Sequence, residues 1–161
     1  MIEPVEGQLA GEGCDAQRES AIMIDYGHFQ LTLQNLSAQF RNYQTLATET
    51  PTLIKEAVAE SVIQRFEICY DCLWKILKRY LGGELGLPDL PNSPRPILRL
   101  AFENNLLTPP LALWMDYAEA RTNTTHIYSG EKAQAALDLI EPFIKGATQL
   151  YQDLTSRVLD D

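Results

Sequence analysis

The sequence predicts an all-α protein, most simply an antiparallel bundle of about five helices. Apolar residues recur at three- and four-residue steps over several long segments, the spacing of one helix face. No segment alternates apolar and polar residues as a half-buried strand would. Glycine and proline fall mainly between the periodic segments, where a bundle needs its turns. A chain of 161 residues with 45% hydrophobic content suits one domain with a sizeable core. Residues 1–20 read as a flexible tail and residues 21–161 as the helical domain.

The first helix is expected from about Ala21, with Tyr26, Phe29, Leu33, Leu36 and Phe40 on one face and Gly27 weakening its start. The second is the strongest. It opens near Thr50-Pro51, carries a stripe of Val58, Val62, Phe66, Cys69, Leu73, Ile76 and Tyr80, and should stop at Gly82-Gly83. The loop "GGELGLPDLPNSPRP" leads to Ser93-Pro94, which looks like an N-cap and first helical residue. A short third helix then buries Ile97, Leu98, Ala101 and Phe102 before "NNLLTPP" breaks it. The fourth runs from about Pro110 through Leu113, Trp114, Tyr117 and Ala118 to the region of Arg121. The last begins near Ser129-Gly130-Glu131, with Leu137, Ile140, Ile144, Ala147, Tyr151 and Leu154 as its core face. Pro142 should kink it.

The net charge of -9 argues against general nucleic-acid binding, because phosphate is drawn by clustered cations. Any such role needs a local patch or an assembled oligomer. No apolar run approaches the roughly 18 residues of a membrane span, so no membrane partner is expected. The acidic N-terminus lacks the apolar core of a signal peptide, and three cysteines make no disulfide framework, so a cytoplasmic protein is expected.

Few residues carry distinctive chemistry. Cys69 and Cys72 sit mid-helix with no second pair to complete a zinc site, and read as core residues. His28 has no nearby ligand partner and reads as structural; the tryptophans and tyrosines read as core. Lys75, Lys78 and Arg79 read first as cations at a helix C-terminus and second as a local phosphate patch. No cofactor or metal is implied. The stretch "ARTNTTHIY" is different. On one continuous helix, Arg121 and His126 would lie roughly 140° apart. Threonine and asparagine favour caps, so a helix end within Thr122–Thr125 would let both face one cleft. Arginine offers a charged fork for phosphate, and histidine moves protons near neutral pH. The bland alternative is a capped helix end.

Arg121, a short gap, then His126 resembles the signature of the HEPN superfamily of all-α proteins, many of them ribonucleases. His126-Ile127-Tyr128 resembles the branch encoded beside minimal nucleotidyltransferases. "VIQRFEICYDCLWKILKRYL" is similar to that branch's long helix through Gln64, Arg65, Phe66, Glu67, Tyr70, Trp74, Lys75, Leu77 and Lys78. "SPRPILRLAFENNLL" is similar to a second segment through Ser93, Pro94, Arg95, Arg99, Ala101 and Phe102. "LWMDYAEAR" resembles the approach to the arginine, so the likeness spans about Ala21 to Leu154. The branch usually has asparagine directly after the arginine; here Thr122 stands there and Asn123 follows. Acidic residues commonly follow its tyrosine; here Ser129-Gly130 precede Glu131.

The resemblance implies a homodimer with both Arg–His motifs at a shared cleft, cleaving RNA without metal. Arg121 would stabilise the scissile phosphate and His126 would act as general acid or base, with Asn123 a supporting polar group. A two-fold dimer would supply the two histidines that simultaneous acid and base catalysis needs. The products would be a 2′,3′-cyclic phosphate and a 5′-hydroxyl, which requires the 2′-OH and rules out DNA as substrate. The resemblance further implies a toxin of a toxin–antitoxin pair. Its partner nucleotidyltransferase would attach AMP to Tyr128, placing charge and bulk beside the cleft. The other reading is a non-catalytic adaptor that serves as the nucleotidyltransferase's substrate-binding subunit.

Overall fold

A computed structural model describes residues 23–124 and 130–159, with side-chain detail for all of these except 124 and 157–159. The tail expected over residues 1–20 lies outside them. The described residues form five helices and no strand: α1 (Gly27–Gln44), α2 (Thr52–Gly83), α3 (Pro94–Glu103), α4 (Leu111–Thr124) and α5 (Glu131–Leu159).

The axis of the bundle is α2. Its 32 residues make a rod of about 48 Å, and it packs against each of the other four helices. The expected stripe is buried from Val62 to Tyr80, while Val58 is only half-buried. The buried face is wider than the sequence reading, because Ile63, Tyr70, Leu77 and Leu81 join it. A helix that touches neighbours on several sides needs more than one stripe.

Aromatic rings join the long helices. Phe143 of α5 meets Phe66 of α2 edge-on at 4.9 Å and Tyr117 of α4 at 5.2 Å. Trp114 meets Tyr117 at 5.3 Å in the same edge-to-face manner, and its ring N–H donates to the Thr108 carbonyl at 2.8 Å. This geometry sets the positive rim of one ring against the negative face of the next. Gly146 lets α5 approach that cluster, since a Cβ there would lie 3.1 Å from the Trp114 ring.

Helix ends depart from the sequence expectations in instructive ways. Residues 23–26 are not helical, so α1 starts at Gly27 rather than near Ala21, and the Asp25 carboxylate accepts the Gly27 N–H at 2.8 Å. α2 does end at Gly83, at the Gly82-Gly83 pair where the sequence places its stop, but neither glycine is left-handed. The left-handed residue beyond its end is Gly86, with φ of 65°. Gly82 is small for another reason: Leu90 folds back over it, 3.1 Å from where a Cβ would stand. Ser93 does precede α3, in extended backbone, but its side chain makes no capping bond. Asn105, at φ 60°, ends α3 in a Schellman arrangement: Leu106 N–H reaches the Ala101 carbonyl and Asn105 N–H the Phe102 carbonyl, both at 3.0 Å. α5 is assigned as one helix through Pro142, whose missing N–H removes one bond from its ladder.

Candidate functional site

Side chains one turn apart on a helix share a face, and α2 uses this in its middle third. Glu67 and Asp71 project together toward α4. Tyr70 and Trp74 form a neighbouring pair, and Lys75 lies one turn beyond Asp71. α4 crosses this face near its C-terminal end and brings Arg121 to the carboxylates.

Arg121 pairs side-on with Asp71. Its Nε donates to Oδ1 at 3.3 Å and its Nη2 to Oδ2 at 3.1 Å. Nη1 lies 3.6 Å from Glu67 Oε2. The side chains are 27% exposed for Arg121, 38% for Asp71 and 15% for Glu67, so solvent screens the pair only in part. The Asp71 hydrogen bonds, with both carboxylates nearby, hold the guanidinium charged even more firmly than usual. Glu67 Oε1 is buried without a hydrogen-bond partner among the described residues. Its charge is therefore answered chiefly by Arg121.

Beside this pair lies a cleft of about 360 Å³ between α2, α4 and the start of α3. Its charged lining comprises three cations, Lys75, Arg95 and Arg121, and one carboxylate, Asp71. That excess of positive charge stands on a chain of net charge -9. Trp74 forms part of the wall, and the Lys75 ammonium sits 5.9 Å from its ring centre. The Tyr70 hydroxyl is buried with no hydrogen-bond partner among the described residues. Burial pushes its pKa up to about 12, so it remains a proton donor at neutral pH.

The structure revises several expectations for the stretch around Arg121 and for α2. α4 is described to Thr124, inside the Thr122–Thr125 stretch where the sequence places its end, and the Thr122 hydroxyl turns back to the Ala118 carbonyl at 3.1 Å. That bond satisfies the threonine inside the helix, so it need not act as a cap. Asn123 lies two residues beyond Arg121, about 200° around the axis. It lines a different cleft, with Asp116 and Lys132. His126 and Tyr128 lie outside the described residues. Trp74, expected in the core, is half-buried and lines the cleft. Lys75, Lys78 and Arg79 stand before the final turn of α2, and Lys78 donates to the Asn92 side chain at 3.0 Å. Cys69 is buried and Cys72 half-buried, both as free thiols within the helix.

Sequence reasoning missed the carboxylate partners of Arg121 and the hydroxyl of Tyr70. Glu67 and Asp71 carry one local signal, two acids a turn apart on the flank of an apolar stripe. Asp71 lies 50 residues from Arg121 in sequence, a separation that no local pattern bridges.

Residues 24–156 match the family described as "Nucleotidyltransferase substrate binding protein like". A protein of Haemophilus influenzae, named "Probable ribonuclease HepT", is 28% identical over 109 residues, spanning 66% of this chain and 74% of that protein. A protein of Thermus thermophilus, known from its crystal structure, is similar in fold with a TM-score of 0.63. It is 27% identical, and the match covers 78% of this chain and 98% of that one.

Proposed function

This chain belongs to the nucleotidyltransferase substrate binding protein like family, within the HEPN superfamily, and from that premise we propose that it is a metal-independent endoribonuclease. The observation that carries the reading is a fixed, permanently charged Arg121 at the edge of a cationic cleft, on a chain similar to a protein named as a ribonuclease. Cleavage of RNA by attack of the 2′-OH builds negative charge on phosphate, and a pre-positioned guanidinium lowers the cost of that charge. Side-on pairing matters here. It fixes the plane of the guanidinium as well as its position.

His126 supplies the proton transfer in this reading, and a two-fold dimer brings a second His126 and Arg121 to the same phosphate. The substrate is tRNA or mRNA. The protein acts as the toxin of a toxin–antitoxin pair. A partner minimal nucleotidyltransferase silences it by attaching AMP to Tyr128, which adds phosphate charge near the cleft that must receive substrate phosphate. Asn123 supports the site only if the partner copy brings it near, since within one chain it lines another cleft.

The test is cleavage of a tRNA and mRNA mixture in EDTA by the native protein and by His126→Ala. Cleavage by the native protein alone, with cyclic phosphate ends, is expected. Equal cleavage by both removes His126 from the mechanism. A second reading, a non-catalytic subunit that binds a nucleotidyltransferase, is favoured by the family's description. It predicts a stable complex with the nucleotidyltransferase and no RNA cleavage.

A further inference from the structure

A buried hydroxyl without a partner is costly in a folded protein and asks what it is for. Tyr70 is 1% exposed, and its hydroxyl finds no acceptor or donor among the described residues. It is also one of the residues lining the cationic cleft. The charges that influence it most are Arg95, Asp71 and Arg121, all lining the same cleft. Asp71 is engaged by Arg121 and does not take the phenolic proton. The cleft therefore offers an unused donor at its base, exposed cations in Lys75 and Arg95, and an indole in its wall. The Lys75 contact with that indole, at 5.9 Å, is near the outer limit for a cation over a ring and is readily displaced.

We propose that this cleft is a one-nucleotide subsite for single-stranded RNA, adjoining the phosphate held at Arg121. The Tyr70 hydroxyl and Arg95 hold the nucleotide's phosphate, and Trp74 stacks its base. Arg95, long and exposed at the mouth, is the side chain that moves to admit the phosphate. Aromatic stacking with cationic backbone contacts is how proteins bind unpaired strands without reading sequence. A duplex keeps its bases stacked on one another and cannot place one against Trp74. This assignment rests on the ribonuclease reading for its location, but its test does not depend on catalysis.

The experiment measures binding of a fluorescent, fully 2′-O-methylated single-stranded oligonucleotide, which cannot be cleaved by 2′-OH attack. Tyr70→Phe should weaken binding by about tenfold, the loss of one hydrogen bond to a charged group. Its melting temperature should hold or rise, because the hydroxyl removed is buried and has no partner among the described residues. Trp74→Leu should weaken binding by about tenfold. Arg95→Gln should lower the slope of log Kd against log salt by roughly 0.7. Native-like binding by Tyr70→Phe and Arg95→Gln overturns the subsite, as does a native protein that binds AMP but not the oligonucleotide. Cleavage of unmodified RNA, run in parallel, judges the ribonuclease reading separately. A native protein that never cleaves, yet loses oligonucleotide affinity on Tyr70→Phe, keeps the subsite and discards the nuclease.

Discussion

The Arg121 guanidinium and the Asp71 carboxylate lie side by side, Nε 3.3 Å from Oδ1 and Nη2 3.1 Å from Oδ2, joining α4 to α2. Two parallel contacts fix the plane of the arginine as well as its position. Glu67, 3.6 Å from Nη1, adds a second carboxylate to the same cation.

If Asp71 orients Arg121, Asp71→Asn should lower kcat/KM for RNA about tenfold while KM changes little, about 1.4 kcal/mol of transition-state stabilisation. The same variant should change unfolding free energy by less than about 1 kcal/mol, because the pair is partly exposed. A double-mutant cycle with Arg121→Lys checks the assignment. Additive effects on kcat/KM would show that the two side chains act independently.

Gly146→Ala would normally favour a helix by roughly 1 kcal/mol. Here the new methyl would stand 3.1 Å from the Trp114 ring, which is 2% exposed, hydrogen-bonded to Thr108 and packed on Tyr117. The ring has little room to yield. Gly146→Ala is expected to destabilise by about 1–2 kcal/mol in urea unfolding. A stability gain would show that α4 and α5 slide apart freely.

Phe143 sits between Phe66 and Tyr117 with no exposure. Phe143→Ala should cost about 3–5 kcal/mol, a loss of burial plus a cavity between three helices. Calorimetry should register a large fall in melting temperature. A fall of only a degree or two would mean that the bundle collapses into the void.

Alkaline conditions should weaken the fold. Burial raises the Cys69 thiol from 9.0 to about 12 and the Tyr70 phenol from 10.0 to about 12. The folded chain thus keeps protons that the unfolded chain gives up, so stability falls wherever only the unfolded state has ionised. Their contribution is complete below about pH 9 and is lost as pH rises toward 12. Urea midpoints should be flat from neutral pH to about 8.5 and fall beyond it. Cys69→Ala should make the fall beyond about pH 9 shallower without moving its onset, because burial also raises the Cys72 thiol from the same reference value. Midpoints that stay level to pH 11 would contradict this.

The helices are readable because their signal is local. Phe66, Cys69, Leu73 and Ile76 announce α2 by spacing alone; the faces of α3 and α5 follow in part, since Phe102, Ile144 and Tyr151 are only half-buried and Phe143, outside the expected face, is fully buried. Endings are harder. A glycine shows where a left-handed residue is allowed, not where one occurs: Gly86 takes that conformation while Gly82 serves Leu90. Thr122 has the residue type of a helix breaker, yet its hydroxyl bonds within the helix to Ala118. The site is legible as residue types, Arg121 above all. Its carboxylates and the orphaned Tyr70 hydroxyl are not, because they arise from the packing of α4 on α2, a relation between distant segments that periodicity does not encode.

α2 carries Phe66, Cys69 and Leu73 into the core and, from the positions that follow them, Glu67, Tyr70, Asp71 and Trp74 to the candidate site. The floor of the cleft is therefore the back of the core. It has no hinge of its own and cannot be remodelled without disturbing the buried stripe. Amide protons of residues 67–75 should exchange only when the whole bundle opens. On the proposed reading, an RNA strand arriving there would meet a rigid anvil, and the bending would have to be done by the RNA.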